Sequence, residues 1–171
     1  MKKLTILIAL LLVAGFSINA FAQQTATATA TTTATIVTPI GISKTVDMNF
    51  GNIATSAAVD TVTLSTAGVR TPSGGVTLPA AAGTVTAASF AVTGSGTYTY
   101  TISLPATAIT LAGTTAGVTV GTFVSNPPAT GVLTAGAQTV LVGATLNLPV
   151  STAAGTYLNN SGGLFVTVCY N

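Results

Sequence analysis

The stretch Thr25-Ala-Thr-Ala-Thr-Ala-Thr-Thr-Thr-Ala-Thr-Ile-Val-Thr-Pro39 alternates with a period of two. Successive side chains of an extended chain point to opposite faces, so Ala26, Ala28, Ala30, Ala34 and Ile36 fall on one side. Thr25, Thr27, Thr29, Thr31, Thr33 and Thr35 fall on the other, giving a ribbon with one apolar face. From Thr25 to Thr38 it would extend about 46 Å at roughly 3.3 Å per residue. An ordinary strand of 5–6 residues covers only about 20 Å. A single sheet cannot cover that length, so the excess stays solvated or is taken up by another molecule.

Downstream, period two recurs and a helical period does not. Strands are predicted at 42–50, 59–65, 75–78, 84–93, 97–104, 118–125, 138–148 and 164–171. Turn signals separate them: Gly51-Asn52, Pro72-Ser73-Gly74-Gly75, Gly94-Ser95-Gly96, Asn126-Pro127-Pro128 and Asn159 to Gly163. Short strands at such spacing predict an all-β chain, a two-sheet sandwich or a barrel; the alternative is a β-solenoid, although no repeat of fixed period is evident.

Upstream of the ribbon, Lys2-Lys3, the apolar run Leu4–Phe16 and Ala20-Phe21-Ala22 read as a cleaved signal peptide over residues 1–22. The run is short for a membrane span, which needs about 20 residues. Cleavage leaves 149 of the 171 residues. We therefore divide the chain into the signal (1–22), a Thr/Ala-rich extension and candidate donor strand (23–33), and a sandwich domain (34–171). Such a product is expected to be exported from the cytoplasm.

Only 4% of the chain is charged, and the formal charge of +2 resides in Lys2 and Lys3. Without a basic cluster, nucleic acid is not an expected partner. With no His, no Glu and two Asp, general acid–base pairs cannot be assembled, so no enzyme and no cofactor is expected. Asp47 and Asp60 are too few for a metal site. Lys44 and Asp47 are placed as a solvated surface pair. Soluble sandwiches guard open edges with charges. Their scarcity here favours edges occupied by neighbours.

Cys169 has no partner for an internal disulfide. It reads either as a small buried hydrophobe on the last strand, or as an intermolecular crosslink or a thiol nucleophile, the last without any His to activate it. Tyr98 and Tyr100 share one strand face, as core or as an exposed sugar-stacking strip. Thr97, Thr99, Thr101 and Ser103 form a hydroxyl ladder opposite, like those of ice-binding surfaces or ordinary sheets. Asp60-Thr61-Val62 resembles an acceptor motif of bacterial O-glycosylation, with Thr61 the candidate site, or is a plain strand start.

Leu164, Val166, Val168 and Tyr170 alternate with Phe165, Thr167, Cys169 and Asn171, and Tyr170 is the penultimate residue. This resembles the C-terminal strand of chaperone–usher pilus subunits, where it pairs with the assembly chaperone and borders a donor-strand groove. More extensively, Ala34–Ile40, Lys44-Thr-Val-Asp-Met-Asn-Phe-Gly-Asn52, Arg70-Thr-Pro-Ser-Gly-Gly-Val-Thr-Leu-Pro79, Gly143-Ala-Thr-Leu-Asn-Leu-Pro149, Ala154-Gly-Thr-Tyr157 and Val166–Asn171 resemble the secreted family catalogued as domain of unknown function 4402. That family is similar to archaic pilus and spore-coat-like subunits, whose paired cysteines this chain lacks. The resemblance implies an all-β, immunoglobulin-like (pilin-like) antiparallel β-sandwich with an extended N-terminal strand, in a structural subunit that polymerises with itself at the cell surface or beyond, with a periplasmic chaperone and an outer-membrane usher of a Gram-negative bacterium as partners. The other reading is a monomeric secreted carbohydrate- or surface-binding module.

Overall fold

The computed structural model describes residues 25–159 and 163–171; the signal-peptide reading lies outside them. The chain divides into two units, residues 1–35 and Ile36–Asn171. In the first, residues 25–35 are exposed and belong to no strand.

In the second unit the described residues form ten strands and no helix. They are β1 (Gly41–Val46), β2 (Asp60–Leu64), β3 (Arg70–Ser73), β4 (Ala88–Thr93), β5 (Thr99–Ser103), β6 (Ile109–Thr110), β7 (Thr119–Asn126), β8 (Thr130–Val132), β9 (Ala137–Leu148) and β10 (Thr167–Tyr170). All pairings are antiparallel.

Alternation explains the layering. In β2, Asp60, Val62 and Leu64 are buried while Thr61 and Thr63 face outward. In β4, Ala88, Phe90 and Val92 turn inward; β9 does the same with Val140, Val142, Ala144, Leu146 and Leu148. One sheet takes the order β1-β4-β9-β2-β3, with β7 and β6 added on β9; the other is β10-β5-β8. The inner faces of the two sheets meet where Phe90, Val92, Val140 and Val142 pack with Tyr100, Ile102 and Leu133. This is a β-sandwich. A second cluster around Val62, Val120 and Leu146 is closed by Phe50, Ile53, Val76, Leu78, Leu111 and Tyr157. Fully burying each such aliphatic side chain stabilises by about 1.5–3 kcal/mol.

The spine is β9. Residues 137–142 pair with β4 and residues 144–148 with β2, while β7 runs along the opposite edge. Gly143 stands at the changeover, where a Cβ would overlap the Leu64 carbonyl oxygen. The close passage of β2's end past β9 requires glycine there.

Three sequence readings change. Residues 75–78 are not a strand; β3 occupies 70–73 instead, overlapping at Pro72 and Ser73 the segment read as a turn, and Thr77 makes an isolated bridge to Ala54. The short β6 and β8 went unread because two or three residues carry too little periodicity. Residues 25–40 contain no strand; alternation alone does not make one, because a strand needs a hydrogen-bonded neighbour.

Candidate functional site

Among the described residues the C-terminal strand has one free edge: β10 pairs with β5 alone, Thr167 opposite Ser103 and Tyr170 opposite Tyr100. The Asn171 amide donates to the Thr99 carbonyl at 3.2 Å, which places residues 171, 169 and 167 in the hydrogen-bonded positions of the ladder. The backbone groups of Val168 and Tyr170 therefore point away from β5, toward the edge without a partner.

The side chains along this edge are incompletely covered. Inward residues of β4, β5 and β9 such as Val92, Tyr100, Val140 and Val142 are 0% exposed. Leu164, Val166, Val168 and Tyr170, together with Ile40 and Ile42 of the first-strand region, pack on the same core yet stay half-buried. Phe165 on the outer side is 67% exposed.

Tyr170 is held firmly. Its hydroxyl accepts from the Ser95 amide (2.7 Å) and donates to the Thr38 carbonyl (3.0 Å). A Cβ at Gly94 would collide with that hydroxyl. The ring meets Tyr98 at 5.7 Å between centroids, tilted by 57°, an arrangement aromatic pairs favour. Thr38 is thus fixed beside the free edge, and the chain N-terminal to it starts there. Ile36, two residues upstream, is 96% exposed.

Other motif residues brace loops. Arg70 Nη1 donates to the carbonyls of Phe50 (2.8 Å) and Asn52 (2.7 Å), holding the Phe-Gly turn. Tyr157 spans the Thr115 amide and the Ala153 carbonyl. Asp60, 1% exposed, accepts from the Ser56 amide and hydroxyl and from the Gly75 amide. The Ser56 amide bond holds its carboxyl below the ordinary value against the opposing effect of burial, helped by Gly75 and the Ser56 hydroxyl. Lys44 and Asp47 form the exposed ion pair, at 2.5 Å.

The remaining sequence-derived candidates fall as follows. Ala26, Ala28, Ala30 and Ala34 are exposed and unpaired. Thr61 is half-buried on the outer face of β2, between β3 and β9. Cys169 is exposed, which corrects its reading as a buried hydrophobe; it shares parity with Thr167 and Asn171 on the outer face of β10. The Tyr98/Tyr100 strip does not exist as an exposed surface, since Tyr100 is fully buried and bonds Gln138 Oε1 at 2.6 Å. Tyr98, half exposed, leans on Tyr170 instead. The brace formed by Asp60 went unread, because a turn that folds back on a carboxylate leaves no periodic mark.

Two shallow hollows lie among the described residues. One, of about 320 Å³, is lined by Ile102, Leu104, Phe123, Val124, Pro128 and Ala129. The other, of about 370 Å³, lies among Pro105, Ala108, Ile109, Thr110 and Phe165. Neither carries an ionisable side chain. Among the described residues no three His, Cys, Asp or Glu side chains gather in a metal-binding group. None of their helices is long and apolar enough to cross a membrane.

No curated protein and no solved structure matches the chain. The family model described as domain of unknown function DUF4402 matches residues 40–170, from the half-buried Ile40 to the latching Tyr170. That span takes in all ten strands, and the chain belongs to the DUF4402 family.

Proposed function

We propose that this chain is an exported, non-enzymatic structural subunit that polymerises into a surface fibre, pilus or coat. Its N-terminal segment adds as a strand to the free edge of β10 in the next copy. The observation that carries this reading is the half-buried state of Val166, Val168 and Tyr170 beside unpaired backbone groups. A strand laid along that edge would satisfy the backbone of Val168 and Tyr170 and cover their side chains. The exposed alternation from Thr25 to Ile36 has the right geometry: main-chain groups for the ladder and a row of small apolar side chains for a shallow cleft. Ala26, Ala28, Ala30, Ala34 and Ile36 form that row.

During export through the periplasm, the same edge needs protection from misplaced pairing. A periplasmic chaperone would supply a temporary strand there, and an outer-membrane usher would exchange it for the next subunit.

The test is negative-stain microscopy with light scattering on the mature protein and on a variant lacking residues 23–33. The mature protein should form filaments, and the truncated one should be a folded monomer. Filaments from the truncated variant, or a strictly monomeric mature protein at high concentration, would sink the proposal.

A further inference from the structure

Charge is scarce in this chain but not scattered. The cations of the described residues are Lys44 and Arg70, and each stands on an edge strand of the large sheet. Lys44 lies on β1 opposite Phe90, and Arg70 lies on β3 opposite Leu64. Residues directly opposite in an antiparallel pair share one face of the sheet, and Phe90 and Leu64 are buried on the inner one. Both cations therefore occupy inward positions, in line with Ile42 on β1 and Pro72 on β3.

The two edges are closed by different means. Arg70 is spent on the carbonyls of Phe50 and Asn52, and Pro72 beside it has no amide to offer a strand arriving on β3. Lys44 instead reaches Asp47 past a bulge between Lys44 and Val46, and its side chain stays 56% exposed. Other free edges among the described residues are blunted as well. β6 has two residues and β8 three, the latter following Pro127 and Pro128. β7, past the two residues that β6 covers, is bulged between Gly121 and Val124. Short strands, prolines, bulges and inward charges are the means by which sheets keep their edges from pairing. β10 has none of the last three: Thr167-Val-Cys-Tyr170 pairs with β5 in unbroken register.

The guard on β1 matters most, because β1 and β10 are the edges where the two sheets approach each other. Ile42 of β1 and Val168 of β10 pack on the same core, so a strand arriving there meets both edges. Along β10 it finds Val166, Val168 and Tyr170. Along β1 it would cover the Lys44 ammonium beside Ile42, Phe90 and Val92, whose side chains offer no acceptor. Taking an ammonium out of water among apolar groups is costly. We infer that Lys44 is a specificity-determining edge guard: its inward ammonium closes β1 and leaves β10 as the edge that accepts a strand. The choice of β10 rests on the strand addition proposed above; the closure of β1 does not.

The experiment compares the mature wild type with Lys44→Val, Lys44→Arg and Asp47→Asn, by light scattering and negative stain at matched concentration. Lys44→Val turns β1 into an uninterrupted β-branched edge and should shift the protein to larger, laterally joined species. These are bundled filaments if the wild type polymerises and new oligomers if it is monomeric. Lys44→Arg and Asp47→Asn keep the inward cation and should match the wild type, although Asp47→Asn changes the net charge by as much as Lys44→Val does. Should Lys44→Val not fold, Lys44→Thr carries the same test. Wild-type filaments with an unaltered Lys44→Val would overturn the guard and leave strand addition standing. A monomeric wild type with a monomeric Lys44→Val would overturn both. Association of Asp47→Asn equal to that of Lys44→Val would also overturn the guard, by assigning the effect to the ion pair.

Discussion

The hydroxyl of Tyr170, the penultimate residue, hydrogen-bonds the carbonyl of Thr38 at 3.0 Å, so the last strand fixes the point where the N-terminal segment begins. The same oxygen receives the Ser95 amide, and one side chain thereby joins the segment before β1, the turn after β4 and β10. Tyr170→Phe keeps the ring against Tyr98 but leaves the Ser95 amide and the Thr38 carbonyl without their partner. The expected cost is about 1–3 kcal/mol in chemical denaturation. A loss below about 0.3 kcal/mol would mean that water replaces the hydroxyl freely.

Gly143 is expected to tolerate nothing larger. Gly143→Ala places a methyl group against the Leu64 carbonyl, where β9 changes partner from β4 to β2. Overpacking of this kind costs about 1–3 kcal/mol. For a chain of this size that corresponds to a thermal midpoint lower by several degrees, at about 2–4 °C per kcal/mol. An unchanged midpoint would show that β2 can slide away from the spine.

Asp60 gives the fold an acid limit. Its carboxyl titrates below the ordinary value chiefly because the Ser56 amide bonds the charged form. A depressed folded value means that the stabilisation is fully present above the unfolded value of about 3.9 and is lost as pH falls through the folded one. Unfolding curves from pH 7 down to pH 2 should therefore show stability dropping below about pH 4. Asp60→Asn should be less stable at neutral pH, because an amide cannot accept from all three donors, and should lose most of that acid dependence. A variant with the same acid dependence as the wild type would place the titration elsewhere.

Tyr100 sets the opposite limit. Burial raises its phenol above the ordinary value of 10.0. Its contribution is present below pH 10 and is lost as pH rises through the higher folded value, since the unfolded chain releases the proton first. Spectrophotometric titration should show one tyrosine lagging behind the others until unfolding. Tyr100→Phe should remove that lag; it should also destabilise at neutral pH, by leaving Gln138 Oε1 without its 2.6 Å bond.

Period two made most of the sandwich legible. Asp60–Leu64, Ala88–Thr93 and Thr99–Ser103 alternate cleanly because one face of each is buried and the other wet. Arg70–Ser73 was hidden because Pro72 and the adjoining glycines signal a turn, and an edge strand such as β3 tolerates proline where a central one does not. The parity of Cys169 could be read from Val168 and Tyr170. Its exposure could not be, since a thiol is equally at home in a core. The register between β2 and β9 was out of reach, because it joins residues far apart in sequence. Thr61 and Thr145 are separated by more than eighty positions yet sit on neighbouring strands.

Ile36 separates stability from assembly. It is 96% exposed, so within one copy Ile36→Asp removes no packing. Surface substitutions of that kind change stability by less than about 0.5 kcal/mol. In a polymer built by strand addition, the same side chain is the bulkiest member of the row that faces the half-buried Val166 and Val168 of the next copy. A carboxylate there would be desolvated without a cation, because the cations of the described residues are Lys44 and Arg70, both already engaged. The variant should unfold at the wild-type midpoint and yet form no filaments by negative stain. Wild-type filaments from Ile36→Asp would exclude Ile36 from the contact and confine the donor to the alanines upstream. A lowered midpoint would instead mean that the side chain packs within its own subunit.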